Sequence, residues 1–219
     1  MENREYKKVI KYIKNEIIKG SLSVGDKLPT ERFLAEKLGI SRNSIREAIR
    51  TMENMGMLES KQGSGNYLTG NLGKMFVEGI VMMLLLNQIN YEEVYDLRKT
   101  IELEAYEMAA QNITKHDLQN LEILIEKMKN ASNSRDLIQA DKKFHYLIIK
   151  ASNNRLIIHI MQAIEDIYTN SVEHILLNST DKTKEKLLEI HNRILFGIIK
   201  KDVQSGKQAI EEHYSIIEF

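Results

Sequence analysis

The turn Gly39-Ile40-Ser41 constrains the fold of this chain more than any other feature, because a helix-ending signal and a helix-starting signal stand next to each other. Gly39 follows the last apolar residue of one helical pattern, and a glycine with positive φ is typical of a helix C-terminus. Ser41 carries the hydroxyl that caps the N-terminus of the next helix. A connection of this length is the spacing of a helix-turn-helix unit.

The segments on both sides of this unit extend the same interpretation. Helical spacing of apolar residues predicts a first helix over Tyr6–Lys19, and Thr30 is the predicted cap of the second helix. After Gly56 the pattern predicts two short strands and a glycine-rich hairpin between them: Met57–Ser60, Lys61–Gly65 and Asn66–Thr69. We therefore expect a winged helix-turn-helix domain over residues 1–70, followed by a linker over 71–74.

The rest of the chain, residues 75–219, reads as helix throughout. Apolar residues recur at i, i+3 and i+4 in seven segments with short polar breaks: 74–87, 91–112, 115–130, 134–151, 154–177, 182–200 and 203–217. The predicted fold class is mainly α, an N-terminal winged helix-turn-helix followed by a C-terminal antiparallel all-helical bundle. The run Met82–Leu86 suits either an interface or the core, and the core is the simpler assignment.

Composition excludes several classes of protein. The chain has no cysteine, which is consistent with a reducing cytoplasm, and no apolar run long enough for a transmembrane helix. Its start lacks the apolar core of a signal peptide, so we expect a cytoplasmic protein without membrane contact. Residues 1–70 hold 13 Lys and Arg against 9 Asp and Glu, whereas residues 71–219 hold 18 against 22. This asymmetry favours a polyanionic partner for the first domain, although chance alone produces differences of this size.

Polar side chains cluster at the start of the third predicted helix, the end that enters the major groove in helix-turn-helix proteins. Arginine donates two hydrogen bonds to guanine, at O6 and N7, and asparagine forms two hydrogen bonds with adenine, at N6 and N7. The predicted partner is double-stranded operator DNA, and the predicted reading residues are Arg42, Asn43, Ser44 and Arg46.

Other residues are predicted to contact the DNA backbone. Arg32 and Ser41, with the helix N-termini, are expected to hold phosphates. The wing residues Lys61, Gly63 and Gly65 combine charge with room for close backbone approach. The alternative is a solvated face in which these arginines pair with nearby glutamates, and charge alone would favour it. The three-residue turn and the hairpin favour DNA binding instead.

The helical domain holds four residues with metal-ligand chemistry. Asp141 and His145 are spaced i, i+4, on one helical face, and His191 and His213 lie on later helices in apolar settings. One carboxylate and three imidazoles suit a divalent transition metal, Zn²⁺, Mn²⁺, Ni²⁺ or Fe²⁺, with positions left for a ligand. The alternative is chance, because Asp–His pairs at i, i+4 are common on helices.

The first domain resembles the GntR family of bacterial transcription regulators. The resemblance rests on Leu28–Gly39, Ser41–Arg50, Gly56–Leu58 and Gly63–Gly65. It implies that arginines at positions 32, 42 and 46 contact operator DNA and that the wing glycine reaches the minor groove. Asn43 departs from the family, which more often has threonine at this position.

The second domain resembles the FCD effector domain of the FadR-type branch, in its short, VanR-like variant. The resemblance implies that Asp141, His145, His191 and His213 form a metal site beneath a pocket for a small carboxylate, and that the protein is a homodimer. The motif Asp96-Leu97-Arg98-x-x-x-Glu102 resembles the start of that domain. Arg98 is the predicted effector-binding residue, with an Arg98–Glu102 pair on a solvated face as the alternative.

These observations predict a ligand-responsive, DNA-binding transcription regulator, a repressor, that senses a small organic acid through a metal-containing helical domain. Two alternatives remain: a regulator for which the metal is the signal, and a metalloenzyme fused to a DNA-binding domain. We expect no enzyme, because no dedicated general base accompanies the ligand set. Glu189 stands two residues before His191 on one helix, so the two side chains point in different directions.

Overall fold

The structure is a computed structural model that describes residues 2–70, 73–177 and 180–216. The chain separates into two compact units, Met1–Gly79 and Ile80–Phe219. The boundary between these units falls after the predicted linker 71–74, of which residues 71 and 72 lie outside the described part. The linker therefore stays a prediction.

The first unit has the order of elements expected of a winged helix-turn-helix. These elements are α1 (Glu2–Ile18), α2 (Glu31–Leu38), α3 (Arg42–Asn54), β1 (Leu58–Lys61) and β2 (Gly65–Leu68). The capping signals act as predicted, since the hydroxyls of Thr30 and Ser41 accept hydrogen bonds from backbone N–H groups in the first turns of α2 and α3. Gly39 ends α2 with a φ of 64°. The fold class predicted for this part is confirmed.

The small sheet of the first unit is antiparallel, and its register pairs Leu58 with Leu68 and Lys61 with Gly65. An isolated bridge also joins Lys27 to Tyr67, which ties the turn before α2 to the wing. The hydrophobic core lies between α1, α2, α3 and the sheet. Its most buried members are Val9, Ile13, Leu34, Ile45, Ala48 and Met52.

The remaining helices confirm the all-helical prediction for the second part of the chain. They are α4 (Gly73–Leu85), α5 (Tyr91–Asn112), α6 (Lys115–Lys129), α7 (Ser134–Ala151), α8 (Arg155–Leu177), α9 (Asp181–Lys200) and α10 (Val203–Ile216). The boundary between the compact units falls inside α4. No described helix is long and apolar enough to cross a membrane.

The core of the helical unit is built from α5, α6, α7, α9 and α10. Tyr106 of α5 is fully buried, and its hydroxyl donates a hydrogen bond to the carbonyl of Ile194 at 2.8 Å. This contact needs glycine on both neighbouring helices, because a Cβ on Gly206 would lie 1.7 Å from the Tyr106 oxygen and one on Gly197 2.4 Å from it. The tight approach of α9 and α10 brings their polar residues close to α5 and α7.

The core assignment of the run Met82–Leu86 is wrong for the described chain. Met82, Leu85 and Leu86 are more than half exposed, and Met83 is also exposed. An apolar run shows that a helix needs a partner but not which surface supplies it.

Candidate functional site

The N-terminal turns of α3 present three of the predicted reading residues to solvent. Arg42, Asn43 and Arg46 are all exposed. The alternative of a paired, solvated face is partly visible as well, since Arg46 Nε donates to Glu31 Oε2 at 2.9 Å and Arg32 Nε lies 3.5 Å from Glu36 Oε1. Exposed pairs of this kind are worth only about 0–1 kcal/mol, so DNA phosphates and bases can replace them.

We call the exposed face formed by Arg42, Asn43 and Arg46 the reading surface. Ser44 does not lie on this surface, which corrects one of our site predictions. It is 4% exposed, and its hydroxyl donates to Glu5 Oε2 at 2.8 Å. The same hydroxyl lies 3.0 Å from that of Ser41, whose oxygen also accepts the backbone N–H of Ser44. Ser44 therefore joins the start of α3 to α1 inside the domain, while Ser41 is exposed but engaged as the helix cap.

The predicted wing residues lie at the exposed end of the hairpin. Gly63 has a φ of 72° and Gly65 a φ of 118°, conformations that residues with a side chain rarely adopt. The Lys61 ammonium lies 4.9 Å from the centre of the Tyr67 ring, and the Tyr67 hydroxyl is 2.6 Å from that of Ser64. The Lys61 ammonium also lies 3.7 Å from Glu59 Oε2, so the one lysine of the hairpin pairs with its one carboxylate.

The four predicted metal ligands come together in the helical unit. Asp141 and His145 come from α7, His191 from α9 and His213 from α10, and all are buried. One potential ligand atom from each lies within 4.8 Å of the others. Asp141 Oδ1 is 3.0 Å from His191 Nε2, 3.2 Å from His213 Nε2 and 3.8 Å from His145 Nε2.

The chemistry of these atoms fits a cation. His191 Nδ1 lies 2.7 Å from the carbonyl of Leu187, so it carries the proton and donates. In the neutral ring Nε2 then offers a lone pair, yet it faces the Asp141 carboxylate and is buried without a hydrogen-bond partner. Two electron-pair donors at this separation repel each other unless a proton or a metal ion lies between them. A donor set of one carboxylate and three imidazoles suits a transition metal.

A buried network missing from our site predictions lies behind His145. Glu102 of α5 is fully buried, and one of its oxygens makes a short hydrogen bond with His145 Nδ1. Its other oxygen accepts from the Tyr214 hydroxyl at 2.5 Å, and Arg98 Nε donates to the same hydroxyl at 3.2 Å. The alternative of an Arg98–Glu102 pair on a solvated face is therefore wrong.

The sequence did contain a signal for this burial. Arg98 and Glu102 fall in one stripe of α5 with apolar residues three and four positions apart. The buried stripe consists of Val94, Tyr95, Arg98, Glu102, Ala105, Tyr106 and Ala109. Charged residues inside such a stripe face the bundle interior.

The buried groups of the ligand cluster and of the network behind it have pKa values shifted in different directions. Burial alone would raise the pKa of Glu102, but His145, Arg98 and Tyr214 lower it to about 2. Burial would likewise raise the pKa of Asp141, whereas its histidine neighbours hold that pKa well below the usual value. Burial and the neighbouring His145 lower the pKa of His213 to about 4. Burial opposes the charged form of His145, but the Glu102 carboxylate raises its pKa overall.

A cavity of about 170 Å³ leads to the ligand cluster from the surface of the helical unit. Asp141 and His191 belong to its lining, and Asp141 keeps 11% of its side chain exposed. Lys129 and Lys184 supply positive charge to the lining. Its other members are Met128, Ala131, Ser132, Asn133, Leu137, Glu185, Leu187 and Leu188.

The remaining histidines do not join the ligand cluster within the described part of the chain. His116 and His159 are exposed. The side chain of His174 lies outside the described residues.

Comparison with known families decides what the two units are. Residues 5–68 match the bacterial regulatory proteins of the gntR family, and residues 93–215 match the FCD domain. The chain belongs to the GntR family and carries an FCD domain. The Uxu operon regulator of Haemophilus influenzae is 30% identical over 215 residues, which cover 96% of this chain and 79% of that protein.

Two further proteins are similar to this chain. The HTH-type transcriptional regulator LutR of Bacillus subtilis is 28% identical, with 91% of this chain and 93% of LutR covered. The solved structure of Streptococcus agalactiae GntR matches with a TM-score of 0.70 and 26% identity over 99% of this chain and 98% of that one. This GntR-family chain is a DNA-binding transcription regulator and not an enzyme, since its relatives are regulators.

Proposed function

We propose that this regulator is a homodimeric repressor that leaves its operator when a small carboxylate binds next to a divalent metal in the helical unit. The observation that carries the proposal is the convergence of Asp141, His145, His191 and His213 at the inner end of a cavity that carries lysines. The reading surface on α3 supports the DNA-binding half. A near-palindromic operator suits a two-fold dimer, because each winged domain then meets an equivalent half-site.

The four residues would hold the metal by one carboxylate oxygen and three imidazole nitrogens. When bound, a transition metal in this donor set supplies positive charge and open coordination positions, which is the chemistry that attracts an anion. Zn²⁺, Mn²⁺, Ni²⁺ and Fe²⁺ all accept these ligands.

The cavity favours a small anion as the effector. The lining holds two lysines and two acidic residues, so a bound metal would supply the excess positive charge that favours an anion. These residues are Lys129, Lys184, Asp141 and Glu185, with the polar Ser132 and Asn133 beside them. A volume of about 170 Å³ is well below the roughly 300–1,000 Å³ of pockets for drug-sized ligands, which favours an acid of a few carbons. Arg98 does not line this cavity, and its guanidinium lies next to Tyr214 and Glu102. Its predicted contact with the effector stays a prediction.

The regulation follows from differential binding. The carboxylate shifts the dimer only if it binds one arrangement of the two subunits more tightly than the other. The cavity lies between the α6–α7 connection and the N-terminal half of α9, so a ligand there contacts parts of three helices. We propose that the arrangement it favours sets the two reading helices at a spacing that does not match the operator.

The test begins with selection of bound sequences from a random DNA duplex library, followed by titration of the selected duplex. We expect Arg42→Ala and Arg46→Ala each to cost about 1–3 kcal/mol on that duplex and less on random DNA. Arg50→Ala, on the same helix but farther from its N-terminus, should weaken both duplexes alike. Unchanged affinity in both reading variants would contradict the assignment of α3.

The effector is tested with acetate, lactate and succinate, each with and without added Zn²⁺ or Mn²⁺. We expect at least one acid to weaken operator binding only in metal-loaded protein. A response to metal alone, with no effect of any acid, would make the metal the signal. No response to either, in protein that binds the selected duplex, would refute the sensing part of the proposal.

A further inference from the structure

We infer that Glu102 is a positioning residue for the metal: its carboxylate holds the proton of His145 on Nδ1, so that Nε2 offers its lone pair to the ion. The inference rests on the metal site of the proposed function. Glu102 is not one of the four candidate ligands. It contacts His145 at Nδ1, whereas Nε2 is the ring nitrogen that faces the other ligands.

The hydrogen bonds of Glu102 support a fixed orientation. One oxygen contacts His145 Nδ1 and the other accepts from the Tyr214 hydroxyl, so each has its own donor. Tyr214 is held in turn, because Arg98 Nε donates to its hydroxyl and the Tyr95 hydroxyl donates to its backbone carbonyl. A carboxylate restrained at both oxygens cannot turn away from the imidazole.

The burial of Glu102 argues against a role in packing alone. The residue is fully buried, and removing a charge from water is strongly unfavourable unless other groups compensate for it. An apolar side chain of similar size would fill the same space without that cost. Arg98 offsets part of the cost of burying the Glu102 carboxylate, because it places a positive charge nearby. The arrangement is therefore best explained by what the carboxylate does to His145.

The effect on His145 follows from its two nitrogens. A neutral imidazole carries one proton, and the nitrogen without it is the one that binds a metal. With Nδ1–H donated to Glu102, Nε2 is the free donor, and it lies 3.3 Å from His213 Nε2 and 3.8 Å from Asp141 Oδ1. A carboxylate on the far nitrogen also makes the ligand more basic. Losing such partners typically costs about 10–100-fold in metal affinity.

The experiment measures metal affinity in the full chain by competition with a chromophoric chelator, with Zn²⁺ as the probe. Glu102→Gln keeps the size of the side chain but removes the charge. Its amide can either accept the Nδ1 proton or donate to a bare Nδ1, so it no longer fixes the tautomer of His145. We expect the dissociation constant to rise about 10-fold or more in this variant, and further in Glu102→Ala. Glu107→Gln is the matched control, since Glu107 lies on the same helix and pairs with Lys207 at 2.9 Å near the surface.

Two readouts separate positioning from a merely structural role. The first is the rise in melting temperature on adding Zn²⁺, which shrinks when metal affinity falls and is unaffected by equal destabilisation of both forms. The second is the tautomer of His145, observed through its nitrogen chemical shifts. We expect Nδ1 to be protonated in the wild type and a mixture of tautomers in Glu102→Ala.

The outcomes are distinct. If Glu102→Gln and Glu107→Gln bind Zn²⁺ with the wild-type affinity and show the same rise in melting temperature, the positioning role is overturned. If Glu102→Ala fails to fold, the isosteric variant still decides the question. If the wild type binds no Zn²⁺, Mn²⁺, Ni²⁺ or Fe²⁺, the metal site of the proposed function fails and the inference fails with it.

Discussion

Arg46 Nε donates a hydrogen bond to Glu31 Oε2 at 2.9 Å, across the turn that joins α2 to α3. The pair links the last arginine of the reading surface to the first residue of the preceding helix. The arginine is 57% exposed and the glutamate 34%, so the pair contributes about 0–1 kcal/mol to stability. Its main effect is on orientation, since it restrains the guanidinium before DNA arrives.

Loss of this restraint should change specificity more than stability. In Glu31→Gln we expect tighter binding to random DNA, because a negative charge near the phosphates is removed, and a smaller ratio between operator and random affinity. The measurement is a titration of both duplexes at several salt concentrations. Glu36→Gln, which removes the partner of Arg32, is the control on the same helix. An unchanged specificity ratio in Glu31→Gln would show that the pair does not orient Arg46.

Two neighbouring residues at the start of α3 should affect different properties, one operator binding and the other stability. Asn43→Ala should weaken operator binding at unchanged stability, since Asn43 is exposed. Ser44→Ala should lower the free energy of unfolding by about 1–3 kcal/mol, because it leaves the Glu5 carboxylate without its buried donor. Urea unfolding and operator titration of both variants provide the measurement. Equal loss of stability in the two variants would refute the inward role of Ser44.

The wing should be sensitive to a methyl group at one glycine in particular. Gly65 has a φ of 118°, and a Cβ there would lie 2.8 Å from the side chain of Lys27. Gly63 has a φ of 72° with no atom within 4 Å of such a Cβ. We expect Gly65→Ala to lower the free energy of unfolding by about 1–3 kcal/mol. Gly63→Ala should lower it less, since the left-handed conformation of Gly63 strains an alanine less than the φ of Gly65 does. Thermal unfolding measures the difference, and the opposite order would contradict the wing conformation.

The close contact of α5 with α9 and α10 predicts a large cost at Gly206. An added methyl would collide with the buried Tyr106 ring, so we expect Gly206→Ala to destabilise the helical unit by about 3 kcal/mol or more. Gly79→Ala is the control: nothing lies within 4 Å of its Cβ, and alanine favours helix by about 0.5–1 kcal/mol. Urea unfolding should place the variants on opposite sides of the wild type. A Gly206→Ala protein as stable as the wild type would show that the helices are farther apart.

Local signals in the sequence predicted the helix boundaries well. Thr30 and Ser41 each cap the helix predicted for them, because a capping hydroxyl acts within three residues of its own position. The four candidate metal ligands, which the structure brings together, were also singled out, but only a resemblance to a known domain joined residues so far apart in the chain into one predicted site.

The errors concern side-chain direction. Ser44 was placed on the reading surface because it stands between two exposed residues, whereas the position of α1 draws its hydroxyl inward. The role of Glu102 depends on His145, a residue 43 positions later on another helix. Such relationships arise from tertiary packing, which spacing along one helix does not contain.

The ligand cluster has a consequence for the order of folding. Asp141 and His213 are separated by 72 positions, with His191 between them. An unfolded chain would have to close these loops at a considerable cost in entropy to gather the four ligands around one ion. If the proposed metal site is correct, we expect the ion to bind after α7, α9 and α10 have packed and not to nucleate their assembly. Metal occupancy would then report that the helical unit has folded.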